Sequence, residues 1–398
     1  MKVVVVSYGS RGDVEPCAAL GRELLHRGHQ VQMTVPPNLL KFVESAGLTA
    51  VAYGPDSREQ LNPASELVRD LATKPQNWFD LLGHVIQHVS EVDAEKSATL
   101  TSLADGADLL VSGFNEQGLT ANVAEYYGIP FAALHYFPER LWASGGPATV
   151  IAKHSEDAQR RALGLPETSK SAAQRMAESG ILEVQAYDEI CLPGRAAEWV
   201  SPEARRPFVG ALTLELPTDA DEDVLSWIAA DAPPIYFGFG STPLESAADT
   251  VHMISTACRK LNQRALICSA AEQLADFPRS DHVKIVAAVN HAVIFPACRA
   301  VVHHGGAGTT AAAMRAGIPM LIHWLWLDQP MWAAAVTQLG VGTGRPFGTA
   351  TEESLIADLT TILTPQYAER ARALAPRLTA AATSATHTAD LLQRIALP

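Results

Sequence analysis

The chain has 398 residues, of which 47% are hydrophobic and 18% charged, and its formal net charge at pH 7 is −13. This length is sufficient for two or three domains. The negative charge excludes nucleic acid as the main partner, because phosphate backbones are bound by clustered Lys and Arg. No apolar stretch approaches the roughly 18 residues needed to span a membrane, so we expect at most peripheral membrane contact.

The N-terminal half alternates apolar strands with helices. The first strand is an all-apolar run, as expected of a strand buried on both faces. Alternation with short links predicts a doubly wound parallel sheet. The predicted strands cover 3–7, 30–35, 50–53, 109–112 and 131–135, and the predicted helices cover 14–27, 38–46 and 117–127. Between 142 and 165 the periodicity is poor, which predicts a mobile surface loop that carries acceptor specificity.

An acidic, proline-bearing segment interrupts this alternation, and we predict a linker at 215–230. The alternation then restarts, with strands at 235–239, 264–268, 283–286, 300–303 and 320–323 and a helix at 246–261. The prediction is an α/β fold of two doubly wound, Rossmann-like parallel-sheet domains, 1–214 and 231–398, that face a central cleft. Ligands of such sheets bind at the C-terminal ends of the strands. A last helix over 365–397 is predicted to pack back on the N-terminal domain.

A glycine-rich turn follows the predicted strand that ends at His303. The order His304-Gly305-Gly306-Ala307-Gly308-Thr309 lets backbone N–H groups approach a phosphate, and the following helix adds positive partial charge at its start. Nineteen residues after Thr309, Asp328-Gln329 can hold hydroxyls. The turn matches neither G-x-G-x-x-G nor G-x-x-x-x-G-K-[ST], which disfavours nicotinamide binding and P-loop hydrolysis. The pattern indicates a nucleotide-sugar site.

Three other segments each have two interpretations. Ser241 follows another predicted strand, where it is either a second phosphate contact or a hydroxyl cap on a tight turn. The pair Asp219 and Asp221 can hold a metal in principle, but within an acidic linker a solvated charge run is favoured, and no metal is expected. The aromatic segment after the strand at 131–135 either lines a hydrophobic acceptor pocket or belongs to the core; its members are His135, Tyr136, Phe137 and Trp142.

Asp13 lies where the first predicted strand meets its helix, in the loop Ser10-Arg11-Gly12-Asp13. Asp is a good helix cap, which gives a purely structural interpretation. Loops at strand ends also concentrate catalysis, and a carboxylate there can remove the proton from an acceptor hydroxyl. The residues alone leave both roles open. During sugar transfer, the charge that develops on the departing diphosphate would be stabilised by His304 and the glycine turn.

These motifs resemble those of the inverting family 1 glycosyltransferases of GT-B fold. The likeness is to bacterial enzymes that decorate natural products, sterols and lipids, including mycobacterial enzymes that glycosylate glycopeptidolipids. Residues 9–16 resemble the start of the glycopeptide-antibiotic and sterol glycosyltransferases, and residues 303–310 with 328–330 resemble their donor motif. The likeness spans nearly the whole chain.

The resemblance implies an inverting transfer of a hexose or deoxyhexose from a UDP- or dTDP-sugar, with no metal or other cofactor. It implies that Asp13 is the general base. The donor sites that it implies are His304, Gly306, Ala307, Gly308 and Thr309 for the diphosphate, Asp328 and Gln329 for sugar hydroxyls, and Val289 and Asn290 for the nucleobase. In place of the stacking tryptophan of plant members, the chain has Ala287 and Ala288.

Two other classes of function compete with a transferase. A nucleotide-sugar epimerase or isomerase on the same scaffold would need no acceptor pocket, so the aromatic segment disfavours it. A non-catalytic nucleotide-sugar-binding protein would not need Asp13. The cysteine count is odd and no C-x-x-C pair occurs, so we expect reduced thiols in a cytoplasmic protein. A cleft within one chain needs no partner subunit, so we expect a monomer. The resemblance implies a hydrophobic acceptor.

Overall fold

A computed structural model of the chain describes residues 1–59, 78–138, 147–192, 205–240, 247–269 and 280–396. These residues form two compact units. The first comprises the described residues of 1–186, 197–214 and 381–398, and the second comprises those of 187–196 and 215–380.

Six parallel strands form the sheet of the first unit, in the order β3-β2-β1-β4-β5-β6. The strands are β1 (Lys2–Val6), β2 (Gln30–Val35), β3 (Thr49–Ala52), β4 (Leu109–Ser112), β5 (Phe131–His135) and β6 (Leu182–Gln185). Val3 of β1 pairs with Val31 on one side and Leu109 on the other. The valines of β1 are fully buried at the centre of the sheet, which explains its all-apolar sequence. The strand order reverses between β1 and β4, where doubly wound sheets bind ligands.

The helices of the first unit cover this sheet. In chain order they are α1 (Arg11–His26), α2 (Leu40–Ser45), α3 (Trp78–Ala104), α4 (Gln117–Tyr127), α5 (Pro147–Ala162) and α6 (Ala172–Ser179). Their apolar faces meet the strands in a core that includes Val4, Leu100, Leu110 and Val123. Burial of these side chains holds the carboxyl ends of β1 and β4 in fixed positions.

The second unit repeats the same plan, with six parallel strands in the order β12-β11-β10-β7-β8-β9. These strands are β7 (Ile235–Gly238), β8 (Ala265–Cys268), β9 (Val283–Val286), β10 (Ala300–His303), β11 (Met320–Trp324) and β12 (Gly342–Pro346). Numbered within its own unit, each sheet has the order 3-2-1-4-5-6 of a Rossmann fold. In the second unit the order reverses between β7 and β10. This confirms the predicted α/β class with two parallel sheets.

The helices of the second unit are α7 (Asp221–Ala229), α8 (Ala247–Lys260), α9 (His291–Ile294), α10 (Ala307–Arg315), α11 (Gln329–Leu339), α12 (Glu352–Ile362) and α13 (Pro365–Leu374). The core packs α8 and α12 on one face of the sheet, with Ile254, Leu321 and Leu359 among its buried side chains. Helix α10 begins where β10 ends, so the start of α10 lies at the reversal point of the sheet.

The final helix, α14 (Ala381–Ala396), belongs to the first unit, although it follows the second unit in the chain. It lies against α1. Arg27, at the end of α1, donates to Asp390 and Gln393, both at 2.6 Å, and to the backbone oxygen of Thr386 at 2.9 Å. The single helix predicted over 365–397 is therefore two helices. Pro376 lies in the break between them and removes a backbone donor.

Two further boundaries differ from those predicted. Residues 221–229, placed in the linker, form α7 of the second unit, which comprises all of 215–220 as well and also takes in the described residues of 187–196 from the predicted N-terminal domain. Residues 147–162, placed in a surface loop, form α5 with Pro147 in its first turn. Its buried face includes the polar residues Ser155, Gln159 and Arg160, so hydrophobic periodicity did not reveal it.

All five cysteines are free thiols, and four of them are buried. Among the helices in the described ranges, none combines the length and the hydrophobicity required to cross a membrane.

Candidate active site

Asp13 closes the first turn of α1. Helix α1 begins at Arg11, three residues before the predicted start, so Ser10 is the N-cap and Asp13 is the third helical residue. The Asp13 Oδ2 atom accepts the Ser10 backbone N–H at 2.7 Å and the Ser10 hydroxyl at 2.8 Å. The Asp13 side chain thereby forms its half of a capping box with Ser10. Asp13 therefore supports its helix from inside the first turn, not as the N-cap residue itself.

Gly9 leaves the space that the Asp13 carboxylate occupies. Its φ is +130°, and a Cβ atom at Gly9 would lie 2.5 Å from Asp13 Oδ2 and 2.9 Å from the Nδ2 atom of Asn115. The Asn115 side chain also hydrogen-bonds the carboxylate. Burial raises the pKa of Asp13, and the hydrogen bonds from Ser10 and Asn115 oppose that rise. A partly desolvated carboxylate is a stronger base than one in water.

Arg11 and Gly12, the other members of the predicted cleft loop, form no ion pair with the Asp13 carboxylate among the described residues. Arg11 is exposed and pairs with Glu15 at 2.9 Å, and its guanidinium lies 4.7 Å from the centre of the Phe42 ring. Gly12 is exposed. The charge of Arg11 is thus engaged by Glu15 and not by Asp13.

The aromatic segment after β5 has partners within the first unit. The Tyr136 hydroxyl donates to the backbone oxygen of Asp13 at 3.1 Å and lies 3.0 Å from Cys17 Sγ. The Phe137 ring meets that of Phe114 edge-on at 5.0 Å. His135 Nε2 lies 3.3 Å from a carboxylate oxygen of Glu183. The side chains of His135, Tyr136 and Phe137 are all buried, so these contacts correspond to the core interpretation. Tyr136 in addition supports the turn that carries Asp13.

We expect Tyr136→Phe to lower the free energy of unfolding by about 1 kcal/mol, since one buried hydrogen bond is lost. The Michaelis constant for an acceptor should remain unchanged if the ring is part of the core. Urea unfolding and acceptor titration measure the two quantities. Tyr127→Phe is the matched control, because its hydroxyl donates to the backbone oxygen of Thr101 at 3.0 Å, away from Asp13. A raised acceptor KM for Tyr136→Phe alone would instead support the predicted acceptor pocket.

Two adjacent histidines at the end of β10 have different environments. His303 is fully buried, and its Nδ1 atom accepts the Gly305 backbone N–H at 3.1 Å. The His304 ring lies 6.3 Å from that of His303, with the two planes nearly perpendicular. His304 is half-buried, and its Nδ1 atom has no hydrogen-bond partner among the described residues. Burial lowers the pKa of His304 to about 4, while the Gly238 carbonyl opposes that change. The ring is therefore neutral near pH 7 and carries one N–H, with which it can donate a single hydrogen bond.

Glycines enclose the His304 ring. A Cβ atom at Gly240 would lie 2.8 Å from His304 Cε1, and one at Gly306 would lie 2.6 Å from His304 Nε2. Gly305 has φ of +94°, and a Cβ atom there would lie 2.7 Å from the side chain of Ile322. Larger residues at these positions would displace either the imidazole or the turn.

The start of α10 presents free backbone donors. Gly306 is its N-cap, and the first N–H groups of a helix have no intrahelical acceptor. Thr310 Oγ1 donates to the Gly306 backbone oxygen at 2.9 Å, which holds the first turn closed. Gly308 is exposed, and a Cβ atom added there would meet nothing within 4 Å. Together with His304, the predicted residues Gly306, Ala307, Gly308 and Thr309 form a cradle at the start of α10, a position at which the N–H groups of a helix can bind an anion.

Asp328 is the N-cap of α11 and Gln329 is its first residue. The Gln329 side chain bonds the turn before the helix, and the Asp328 side chain bonds a residue within it. Gln329 Oε1 accepts the backbone N–H of Leu325 at 2.7 Å and that of Trp326 at 3.3 Å. Asp328 Oδ2 accepts the indole N–H of Trp332 at 2.8 Å. Leu327 has φ of +53°, which is unusual for a residue with a branched side chain. The side-chain oxygen of Gln329 is therefore engaged by the turn before α11.

Asp221, which was predicted to belong to a solvated charge run, holds the segment after β9. Asp221 Oδ1 accepts the backbone N–H of Asn290 at 2.8 Å, and Asn290 Oδ1 accepts the Ala292 N–H at 3.0 Å as the cap of α9. Val289 is buried. Asp221 is buried as well, whereas Asp219 is exposed. Asp221 is thus a structural residue of the second unit and not part of a solvated charge run.

Ser241 and Trp142 lie outside the described residues. Within the described ranges, no group of three or more His, Cys, Asp or Glu side chains has the arrangement needed to hold a metal ion. Asn115, Gly9 and Asp221 were not predicted as site residues, and only the position of Asn115 directly after β4 could have indicated its role.

Two family models match the chain. The model described as glycosyltransferase family 28 N-terminal domain matches residues 3–93, and the model described as erythromycin biosynthesis protein CIII-like, C-terminal domain, matches residues 260–395. Among solved structures, the glycotransferase of kitacinnamycin has a TM-score of 0.72 at 20% identity, covering 100% of this chain and 99% of that one. VinC in complex with dTDP has a TM-score of 0.66 at 21% identity, covering 100% and 99%.

The two units and their sites define a glycosyltransferase of GT-B fold. The chain belongs to family 1 of these enzymes and is similar to mycobacterial members, as the sequence predicted. An uncharacterized glycosyltransferase of Mycobacterium tuberculosis is 57% identical over 413 residues, covering 99% of this chain and 98% of that protein. Glycosyltransferase GtfE of Amycolatopsis orientalis is 31% identical over 422 residues, covering 98% and 97%.

Proposed function

We propose that the enzyme transfers a hexose or deoxyhexose, without a metal, from a UDP- or dTDP-sugar to a hydroxyl of a hydrophobic acceptor, with inversion at the anomeric carbon. The acceptor is a glycopeptidolipid, a sterol or another natural product. Asp13 removes the acceptor proton, and the second unit holds the donor.

The observation that carries this proposal is the cradle formed by His304 and the start of α10. The His304 ring lies against the glycine turn, with Nε2 2.6 Å from the position of a Cβ atom at Gly306, at the reversal point of the sheet. A departing diphosphate would gain hydrogen bonds from the helix N–H groups and from a neutral imidazole, with no cation required. The solved VinC structure contains dTDP, which supports a nucleoside diphosphate here.

The geometry around Asp13 supports base catalysis. The carboxylate is half-buried, is fixed by two hydrogen bonds from Ser10, and is not paired with Arg11. When an acceptor hydroxyl displaces the leaving group directly, one carboxylate near that hydroxyl must take its proton. The vancomycin aglycone glucosyltransferase of Amycolatopsis orientalis, which is 29% identical over 94% of this chain, supports a natural-product acceptor.

Calorimetric titration with UDP, dTDP, GDP and NAD, each with and without EDTA, tests the donor site. We expect one of UDP and dTDP to bind and its affinity to be unaffected by EDTA, because the cradle supplies its own donors. Binding of NAD alone, or binding that EDTA abolishes, would contradict the proposal. Once the nucleotide is known, incubation with the corresponding sugar nucleotide and no acceptor separates a transferase, which leaves the sugar unaltered, from an isomerase.

A further inference from the structure

Asn115 meets the Asp13 carboxylate from the neighbouring strand of the sheet. Asn115 lies in the short 3-10 turn Phe114–Glu116 directly after β4, whereas Asp13 lies after β1. Its Nδ2 atom donates to the backbone oxygen of Tyr8 at 3.1 Å. A primary amide carries two N–H groups, so the second remains available for Asp13. A Cβ atom at Gly9 would lie 2.5 Å from Asp13 Oδ2 and 2.9 Å from Asn115 Nδ2, so the amide and the carboxylate border the same space, and the Asn115 N–H lowers the pKa of Asp13. The bond to Tyr8 also fixes which end of the amide faces the carboxylate.

The turn that carries Asn115 is anchored from inside the first unit. Glu116, the next residue, is buried and accepts from Lys96 at 2.7 Å and from the Tyr53 hydroxyl at 2.8 Å. Thr120 Oγ1 donates to the Glu116 backbone oxygen at 2.7 Å. Asn115 itself is exposed. An exposed side chain on a rigidly held turn can orient a neighbouring group and remain accessible to a substrate.

We propose that Asn115 is a positioning residue that orients the Asp13 carboxylate for proton removal and that must be uncharged. This inference rests on the proposed role of Asp13 as the base. A donated N–H stabilises the ionised carboxylate and restricts its rotation. A carboxylate at position 115 would do the opposite, because two such groups within hydrogen-bond reach share one proton.

The other titratable groups around Asp13 remain neutral or are already paired. Burial raises the pKa of Cys17 to about 12 and that of Tyr136 well above its usual value. The charged groups on the adjoining elements form two ion pairs, Glu116 with Lys96 and Arg11 with Glu15. An added carboxylate at position 115 would therefore act mainly on Asp13.

The test compares Asn115→Asp and Asn115→Ala with the wild-type enzyme, using the pH profile of kcat/KM for an acceptor. Asn115→Asp should move the acidic limb of this pH profile to higher pH by about one unit or more, because a second negative charge close to Asp13 raises its pKa. At a fixed pH on the acidic limb, a shift of one unit should lower kcat/KM about tenfold. Asn115→Ala should lower kcat with a smaller shift of the limb. Affinity for the nucleoside diphosphate, which binds in the second unit, should not change in either variant.

Asn38→Ala is the matched control. Asn38 also bridges a loop of the first unit, through bonds with Ser57, and it does not contact Asp13. Its pH profile should match that of the wild type. Unchanged profiles for both Asn115 variants, with Asp13→Asn inactive, would overturn the inference and leave the proposed function intact. An active Asp13→Asn enzyme would instead remove the proposed base and the inference with it.

Discussion

Asp13→Asn is expected to lower kcat about 10²-fold or more, the usual scale of general base catalysis. An amide has nearly the shape of the carboxylate, and its oxygen can still accept from Ser10, so the first turn of α1 should persist. The affinity for a nucleoside diphosphate should stay the same, because the proposed donor residues belong to the second unit. The measurements are kcat at saturating donor and acceptor, and calorimetric titration of the nucleotide.

Ser10→Ala separates the two roles of Asp13. This variant removes the hydroxyl of the capping box and leaves the carboxylate, so it should cost about 1 kcal/mol of stability. Its kcat should fall by less than that of Asp13→Asn. If Asp13→Asn keeps kcat within a few-fold of the wild type, the carboxylate serves only the helix.

Gly305→Ala is expected to destroy the donor site. The residue has φ of +94°, and the new Cβ atom would lie 2.7 Å from the side chain of Ile322 and 3.2 Å from the backbone oxygen of Gln329. The turn must move, and His304 and the start of α10 move with it. We expect a loss of about 1–3 kcal/mol of stability from the strained backbone. Nucleotide affinity should fall at least tenfold, as measured by calorimetry beside urea unfolding.

Gly308→Ala provides the control three residues further along. No φ in the left-handed region is required there, and a Cβ atom meets nothing within 4 Å. Alanine in a helix also restricts the unfolded chain, so stability should be kept or should rise by up to about 1 kcal/mol. Nucleotide affinity should change by no more than a few-fold. Equal stability and equal affinity for the two variants would show that the geometry of Gly305 is not required.

The sequence alone predicts the strands near the site well, because they are short apolar runs bounded by glycines. β2, β4, β5, β9 and β10 have the predicted bounds. The glycine turn was also predictable, since its spacing reflects local backbone requirements that depend on few distant residues. Asp13 and His304 each follow a strand beside the reversal point of a sheet, where the alternation of strands and helices had placed them.

The remaining features depend on contacts between distant parts of the chain. Helix α5 buries Glu156 and Arg160, which look like solvent-facing residues in the sequence. In the fold, Glu156 accepts the backbone N–H of Ala172, and Arg160 donates to Glu125. Asp221 looks like part of an acidic linker until its bond to Asn290, 69 residues away, is known. Asn115 has no sequence signal beyond its place after β4, because its partner Asp13 is more than one hundred residues away. Polar pairing of this kind leaves no periodic pattern.

The docking of α14 on α1 affects how the protein is made and how it can be divided. Residues 381–396 are synthesised after the whole second unit, so the surface around Arg27 lacks its cover until then. A fragment cut at residue 214 would expose the same surface and lose the bonds to Asp390 and Gln393. Chimeric enzymes that exchange donor specificity should therefore have a join near 380, so that α14 stays with the unit that carries Asp13, and the exchanged part should include 187–196 as well as 215–380.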